Sequence, residues 1–115
     1  MSRHESTHLT RGATEPEDQL EFQPTWTSKS ALPVKSLLPG MAMQSVIGGR
    51  LMANWVTLDP HVIVPRHQHH NEQMTYILEV ALRFWIGEDE GEEIVVRAGE
   101  VLHLPSFVWH KAEAI

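Results

Sequence analysis

The sequence contains no cysteine and only one tyrosine among its 115 residues. Without thiol groups the chain can form neither disulfide bonds nor thiolate metal sites, and a cysteine nucleophile is excluded. Long apolar runs are also missing. No segment approaches the roughly 18 residues that a membrane-spanning helix requires, and residues 1–22 lack the apolar core of a signal peptide. We therefore expect a cytoplasmic protein that has no membrane partner.

Basic residues are scarce and scattered along the chain. Nine lysines and arginines stand against 15 aspartates and glutamates, which gives a formal net charge of -6 at pH 7. A protein that binds a phosphate backbone normally presents a clustered electropositive surface. The charge pattern therefore argues against nucleic acid as a partner.

The character of the sequence changes near residue 30. Residues 1–30 are polar, contain Pro16 and Pro24 and show no sustained period, which predicts a flexible N-terminal arm with a short ordered piece around residues 22–26. From 31 to 115, short apolar runs separated by glycine and proline predict an all-β sandwich or barrel with little helix. At this length we expect one folded domain, residues 31–115, preceded by the arm.

Turn signals divide the predicted domain into strands. Gly48 and Gly49 indicate a hairpin turn between two apolar runs. The segment "EQMTYILEVALRFWIG" is long enough for two strands or one bent strand, and "DEGEE" is the turn that follows it. Pro105 separates the last two strands. We expect Trp85 and Trp109 to pack inside the barrel, as most tryptophans do.

Residues 67–73 read HQHHNEQ and precede an apolar strand. Alternate side chains share one face of a strand, so His67 and His69 would lie about 7 Å apart on that face, and the same parity reaches Gln73. His110 begins the last predicted strand, and a β-barrel brings distant strands face to face. These four residues predict a site for one divalent transition metal. The alternatives are an exposed polar loop and histidines that only form structural hydrogen bonds.

Three further side chains near the ligand strands are candidates for proton transfer: Glu72, Tyr76 and His103. Glu72 and Tyr76 have the opposite parity to the ligands, so a regular strand would turn them away, and Tyr76 would then belong to the core or to a subunit interface. His103 could face either the cavity or the solvent. The parity of Arg66 and Arg83 favours solvent-exposed positions.

Two segments of the chain resemble the signatures of the cupin superfamily, whose members are small jelly-roll β-barrels. The first signature is His-x-His, three or four residues, Glu or Gln and an apolar strand, and here it reads "HQHHNEQMTYILEV". The second is "GEVLHLPSFVWH", with Gly99, Pro105 and His110 at the expected spacing. The resemblance covers about residues 34–115 and implies a small single-domain cupin with an all-β jelly-roll barrel. It also implies metal ligands at His67, His69, Gln73 and His110.

The chain departs from the family pattern at three turns. Val80 stands where relatives often have glycine, Phe107 where they have glycine or asparagine, and His61 where a glycine usually follows the proline. Glycine in such turns often supplies a positive φ, which valine tolerates poorly. Either these turns are rebuilt locally or the chain has been altered from a more ordinary cupin.

The sequence ends five residues after His110, whereas cupins usually carry at least one more strand after the last histidine. An open sheet edge invites pairing with another strand. The alternatives are a truncated form and a sheet that is completed by the N-terminal arm or by a neighbouring subunit. The open edge, with the family's habit of packing barrels together, favours a homodimer.

Three imidazoles and one amide form a neutral ligand set, so a bound divalent ion would keep its charge and act as a Lewis acid. The motif is similar to that of small bacterial cupins that process sugars, including those that open the ring of unsaturated uronates. This resemblance implies an isomerase or lyase that acts on a small hydroxylated or carbonyl compound with Fe, Mn, Ni, Cu or Zn. The alternatives are a metal-dependent dioxygenase and a non-catalytic module that binds a metal or a small molecule.

Overall fold

A computed structural model describes residues 10–11 and 24–115. Most of the predicted flexible arm therefore lies outside the described residues. The chain divides into two compact units, residues 1–57 and residues 58–115. All four predicted metal ligands belong to the second unit.

The first unit contains two small sheets. β1 (Thr10–Arg11) pairs in parallel with β2 (Thr25–Trp26), and a 3-10 turn follows at Lys29–Ala31. β3 (Lys35–Leu38), β4 (Met41–Ile47) and β5 (Met52–Leu58) form a three-stranded sheet in that order. The predicted hairpin at Gly48 is confirmed, although its connection covers residues 48–51 and the Gly48 N–H donates to the Leu51 carbonyl at 2.8 Å.

The second unit consists of β6 (Ile63–His67), β7 (Gln73–Tyr76), β8 (Ala81–Ile86), β9 (Glu92–Arg97), β10 (Val101–Leu104) and β11 (His110–Ala114). An antiparallel four-stranded sheet has the order β6-β11-β8-β9, and β7 pairs with β10 alone among the described strands. The predicted all-β class is confirmed, and "EQMTYILEVALRFWIG" holds two strands. In the part of the chain that the structure describes, no helix is long and apolar enough to cross a membrane.

The hydrophobic core of the second unit joins its two sheets. Alternation along β8 turns Phe84 inward and leaves Arg83 and Trp85 on the outer face. Trp85, expected in the interior, lies instead beneath the Lys111 ammonium, whose nitrogen is 4.8 Å from the ring centroid. The core residues are Ile77, Phe84, Val96 and Ala112, with Val64, Leu82, Ile86 and Leu102 packed against them.

The turns at His61, Val80 and Phe107 have a left-handed backbone at a residue other than glycine. The φ angle is 68° at His61, 62° at Val80 and 63° at Phe107. The turns are therefore not rebuilt, and each of these residues carries the backbone strain. Backbone hydrogen bonds hold the turns in place: the Val80 carbonyl accepts from the Ala98 N–H at 2.9 Å, and the Phe107 N–H donates to the His69 carbonyl at 2.8 Å.

Replacing Val80 with glycine should stabilise the protein. A left-handed backbone costs an L-residue roughly 1–2 kcal/mol, and a β-branched residue tolerates it least. The greater freedom of glycine in the unfolded chain offsets part of this gain. We expect a net increase of about 1 kcal/mol in the free energy of unfolding, measured as a higher urea midpoint at an unchanged m value.

The matched control for this substitution is Val101→Gly. Val101 is 56% exposed and Val80 is 67% exposed, but Val101 lies in the extended backbone of β10. Glycine within a strand destabilises it, so this variant should lower the midpoint. An equal decrease of the urea midpoint in both variants would show that Val80 bears no backbone strain.

Candidate metal centre

His67 and His69 approach the same point from different kinds of backbone. β6 ends at His67, and residues 68–72 form a loop before β7 begins at Gln73. The expectation that both histidines lie on one continuous strand is therefore wrong, because the strand ends between them. The loop is held instead by its neighbour in space, since the His69 carbonyl accepts the Phe107 N–H of the β10–β11 turn.

His110 is the first residue of β11, as the sequence predicted, and it lies opposite His67 in the ladder. Its side chain is buried, with 3% exposed, whereas His67 and His69 are half-buried. The ring centroids are 4.2 Å apart for His67 and His110, 5.1 Å for His69 and His110, and 5.6 Å for His67 and His69. One potential ligand nitrogen from each ring lies within 4.8 Å of the others. The structure thus gathers three of the predicted ligands into one cluster.

Each imidazole of this cluster donates its Nδ1 proton to a main-chain carbonyl two residues away. The distances are 2.8 Å from His67 to Pro65, 2.7 Å from His69 to Asn71 and 2.9 Å from His110 to Val108. A carbonyl oxygen only accepts, so these contacts assign the Nδ1–H tautomer to a neutral ring. Each Nε2 then has an unshared lone pair, which is the form of imidazole that binds a metal ion.

The Nε2 atom of His110 is buried and has no hydrogen-bond partner among the residues that the structure describes. Leaving a buried polar atom unsatisfied costs roughly 1–3 kcal/mol, and a metal ion is a chemically suitable partner for this lone pair. Burial lowers the pKa of His110, and His67 and His69 lower it further, against the opposing effect of the hydrogen bond to Val108. His110 is therefore held in the neutral form that a metal ion requires.

Gln73 presents its amide to the same cluster. Its Oε1 lies 3.0 Å from the Nε2 of His69, and its Nε2 donates to the Thr75 hydroxyl at 2.8 Å. Because the Nδ1 proton of His69 is directed at the Asn71 carbonyl, its Nε2 is an acceptor. The Nε2 of His69 and the Oε1 of Gln73 are then two acceptors that face each other. Reversing the amide would satisfy this pair in the absence of an ion, because the Thr75 hydroxyl can donate or accept. Neighbouring ligands of one ion, each about 2.1 Å from it, are about 3 Å apart when they lie at right angles, so the spacing fits a shared cation.

The predicted catalytic residues lie on the opposite face of the β7–β10 pair from Gln73. Gln73 pairs with Leu104, which is 1% exposed, whereas Tyr76 is 58% exposed and is not a core residue. His103 adjoins Leu104 and faces outward, with its Nε2 2.8 Å from a carboxylate oxygen of Glu72. The structure thus brings Glu72 and His103 together, and it places both of them and Tyr76 outside the imidazole cluster.

The groups that orient the three imidazoles and the Gln73 amide were not predicted from the sequence. Main-chain carbonyls carry no sequence signal, because every residue has one. The hydroxyl that accepts from Gln73 belongs to Thr75, a strand residue that is part of no motif. Another unpredicted contact lies next to the cluster, where the His70 ring meets the Phe107 ring edge-to-face with centroids 5.5 Å apart. The overlooked orienting groups are the carbonyls of Pro65, Asn71 and Val108 and the hydroxyl of Thr75.

A family model for the cupin domain matches residues 54–115. Because this match covers more than half of the chain, the protein belongs to the cupin family. The all-β fold that the sequence predicted is thus confirmed as a cupin-type jelly roll.

Solved cupin structures show the same fold. KdgF from Halomonas sp. is 24% identical over 76% of this chain and 79% of its own, with a TM-score of 0.68. An RmlC-like cupin from Shewanella frigidimarina is 22% identical over 75% of this chain and 76% of its own, also with a TM-score of 0.68. The S161A mutant of the Bacillus subtilis oxalate decarboxylase OxdC is 22% identical over 76% of this chain and 25% of its own, with a TM-score of 0.65. No curated protein sequence matches the chain.

Adding Co²⁺, Ni²⁺ or Zn²⁺ to the metal-free protein should raise its melting temperature. An ion that binds only the folded state stabilises it by about 2.7 kcal/mol at a hundredfold excess over Kd. His67→Ala and His110→Ala should abolish the rise because each removes one nitrogen of the cluster. His70→Ala, at the adjacent histidine outside the cluster, should preserve it. Melting curves by circular dichroism measure the shifts, and an equal rise in all three variants would place the ion elsewhere.

Substitutions at Gln73 should change metal affinity in opposite directions. Gln73→Glu adds a negative charge at an atom 3.0 Å from the Nε2 of His69 and should lower Kd, whereas Gln73→Ala removes the oxygen and should raise it, by about tenfold in each case. Glu72→Gln is the matched control, because it changes the charge of the neighbouring side chain on the outer face. Calorimetric titration gives the Kd values, and identical values for wild type and both Gln73 variants would exclude Gln73 from the ligand set.

Proposed function

We propose that the protein is a metal-dependent cupin that acts as an isomerase or lyase on a small hydroxylated or carbonyl compound. The observation that carries the proposal is the buried Nε2 of His110, which has no hydrogen-bond partner in the described part of the chain and belongs to a cluster of three imidazoles. Assembling three lone pairs in a partly buried position is costly unless a cation shares them. The family and the chemistry of the donors support the same conclusion.

His67, His69, His110 and Gln73 are the residues that would hold the ion. When bound, a divalent ion polarises a carbonyl or hydroxyl oxygen and lowers the pKa of a bound water. Because all four side chains are neutral, they leave the charge of the ion uncompensated. The buried His110 closes one side of the cluster to water, whereas the half-buried His67 and His69 leave another side accessible.

The arginines of the second unit favour an uncharged substrate over a uronate. A substrate carboxylate would be bound by a guanidinium that points at the cluster. Arg66 instead donates to the carbonyls of Gly87 and Glu90, and Arg83 lies on the outer face of β8, where it pairs with Glu113 at 3.2 Å. Both of these guanidinium groups are therefore engaged by the protein, and the third arginine of the unit, Arg97, is exposed next to the core residue Val96. A neutral polyhydroxylated carbonyl compound fits this arrangement better than an acid.

Glu72 and His103 are proposed as the proton-transfer pair, with Tyr76 as a further candidate. The Glu72 carboxylate lies 2.8 Å from the Nε2 of His103, so this hydrogen bond orients the imidazole ring. The pair lies outside the cluster, so kinetics must decide its role. A loss of kcat in Glu72→Gln and His103→Ala at unchanged metal affinity would support proton transfer. An unchanged kcat would assign the pair to the stability of the β7–β10 sheet.

We also propose that two copies of the chain associate. The outer face of the β7–β10 pair exposes the apolar side chains of Met74, Tyr76 and Val101, and β7 has one hydrogen-bonded neighbour among the described strands. Exposed apolar surface and an unpaired strand edge both favour association. Sedimentation equilibrium should give twice the 13.1 kDa chain mass, and Tyr76→Lys should shift the protein towards the monomer. A monomer at every concentration would contradict this proposal.

The decisive experiment for function measures metal content first and turnover second. Protein purified without a histidine tag should contain about one equivalent of a transition metal by elemental analysis, and His67→Ala,His110→Ala protein should contain none. The loaded protein should then convert a member of a panel of aldoses, ketoses and hydroxyketones, followed by proton NMR under argon. Failure of the wild type to take up any ion would overturn the proposal.

The same assay separates the alternatives. Conversion that requires air would indicate a dioxygenase, because dioxygen is then a substrate. Saturable binding of a sugar without conversion would indicate a non-catalytic binding module. Conversion under argon at the rate seen in air would support Lewis-acid chemistry without oxidation.

A further inference from the structure

The ladder between β6 and β11 contains one extra residue immediately before His67. His67 pairs with His110, and the next pair is Val64 with Ala112. Two residues of β6 therefore lie opposite a single residue of β11, which defines a β-bulge. A proline is tolerated at such a position because it has no N–H to contribute to the ladder. The two bulged residues are Pro65 and Arg66.

The bulge determines the direction in which His67 points. Val64 packs against the hydrophobic core, and in a regular strand a residue three positions later points to the opposite face. The extra residue shifts the alternation by one position. His67 therefore turns to the same side as Val64, where its ring centroid lies 4.2 Å from that of His110. Without the bulge the imidazole would project from the outer face of the sheet.

Arg66 is the side chain that ties the bulge to the rest of the sheet. Its Nη1 donates to the Gly87 carbonyl, and its Nη2 donates to the Glu90 carbonyl at 2.7 Å. Both acceptors belong to the turn between β8 and β9, which is tightly folded: a Cβ added to Gly91 would lie 2.9 Å from the backbone nitrogen of Ile86. Arg66, which the sequence predicted to be solvent-exposed, is partly exposed and is bonded to main-chain carbonyls. A planar guanidinium with two donors on a rigid turn holds the bulge in one orientation.

The β8–β9 turn also contacts the residue that precedes His110. The Gly87 N–H donates to the Trp109 carbonyl at 2.8 Å. Gly87 is thus bonded through its carbonyl to the residue before His67 and through its N–H to the residue before His110. The two strands that carry ligands are aligned against one short segment of backbone.

We propose that Arg66 is a positioning residue that directs the His67 imidazole towards His69 and His110. The orientation itself follows from the bulge and the two hydrogen bonds. Its consequence for metal affinity rests on the proposed function. Arg66 acts through the backbone of its neighbour, so its loss should disturb His67 more than His69, which the Phe107 turn holds independently.

The test compares Arg66→Met and Arg66→Lys with Arg83→Gln. Arg83 is a matched control because it is a partly exposed arginine of the same sheet whose partners are the side chains of Glu93 and Glu113 rather than main-chain carbonyls. In the metal-free proteins, the nuclear Overhauser effect between the ring protons of His67 and His110 reports the orientation directly. It should weaken in Arg66→Met and remain at wild-type strength in Arg83→Gln.

Metal affinity is the second measurement, made by titrating Co²⁺ and following both heat and visible absorption. Arg66→Met should raise Kd tenfold or more, in the range of roughly 10–100-fold known for groups that orient metal ligands, and it should change the absorption spectrum. Arg66→Lys, which retains one donor group, should show a smaller loss. Arg83→Gln should change neither readout, although both classes of variant lose an interaction of the sheet.

Wild-type proximity of the two rings and wild-type affinity in Arg66→Met would overturn the inference. If Arg66→Met does not fold, the same result in Arg66→Lys would overturn it, because a single ammonium cannot reproduce the two-pronged contact. A wild type that binds no ion would refute the proposed function. The proton contacts of the metal-free variants would still decide the role of Arg66.

Discussion

The candidate site depends on the hydrogen bonds that the backbone makes with three imidazoles. Each ring donates its Nδ1 proton to a carbonyl only two residues away in the chain, so a local contact sets its tautomer. The fold brings the three rings together, each with its Nε2 lone pair available. The arrangement leaves three lone pairs close together and one of them buried, a cost that the rest of the fold must bear in the absence of an ion.

The sequence predicted those parts of the cluster that depend on strand alternation and on a proline that ends a strand. Pro105 ends one strand and leaves His110 to begin the next, and strand pairing then sets His110 against His67. The bulge before His67 could not be predicted, because it arises from tertiary contacts and its only local sign is a proline within a strand. The loop that carries His69 was mistaken for strand for the same reason: its path is set by a backbone bond to a distant turn.

The turns show tertiary structure overriding local preference. At His61 the N–H donates to the Ala114 carbonyl at 2.9 Å, and at Val80 the carbonyl accepts from Ala98 at the same distance. Rebuilding either turn would break such a bond and shift the strands beside it. A non-glycine residue at positive φ lowers the free energy of unfolding by roughly 1–3 kcal/mol. A displaced strand would instead expose part of the core. The turns therefore retain a positive φ, and His61 and Val80 bear the backbone strain.

The contrast between Gln73 and Glu72 shows how register sets the electrostatics of the site. Alternation places the amide at His69 and the carboxylate on the outer face beside His103, so a slip of one residue would exchange them. A carboxylate at the cluster would bind a cation more strongly, but its charge would also reduce the power of that cation to polarise another oxygen. Gln73 cannot slip, because its ladder partner is Leu104, which is 1% exposed. Burial of a leucine thereby keeps the proposed ligand set neutral.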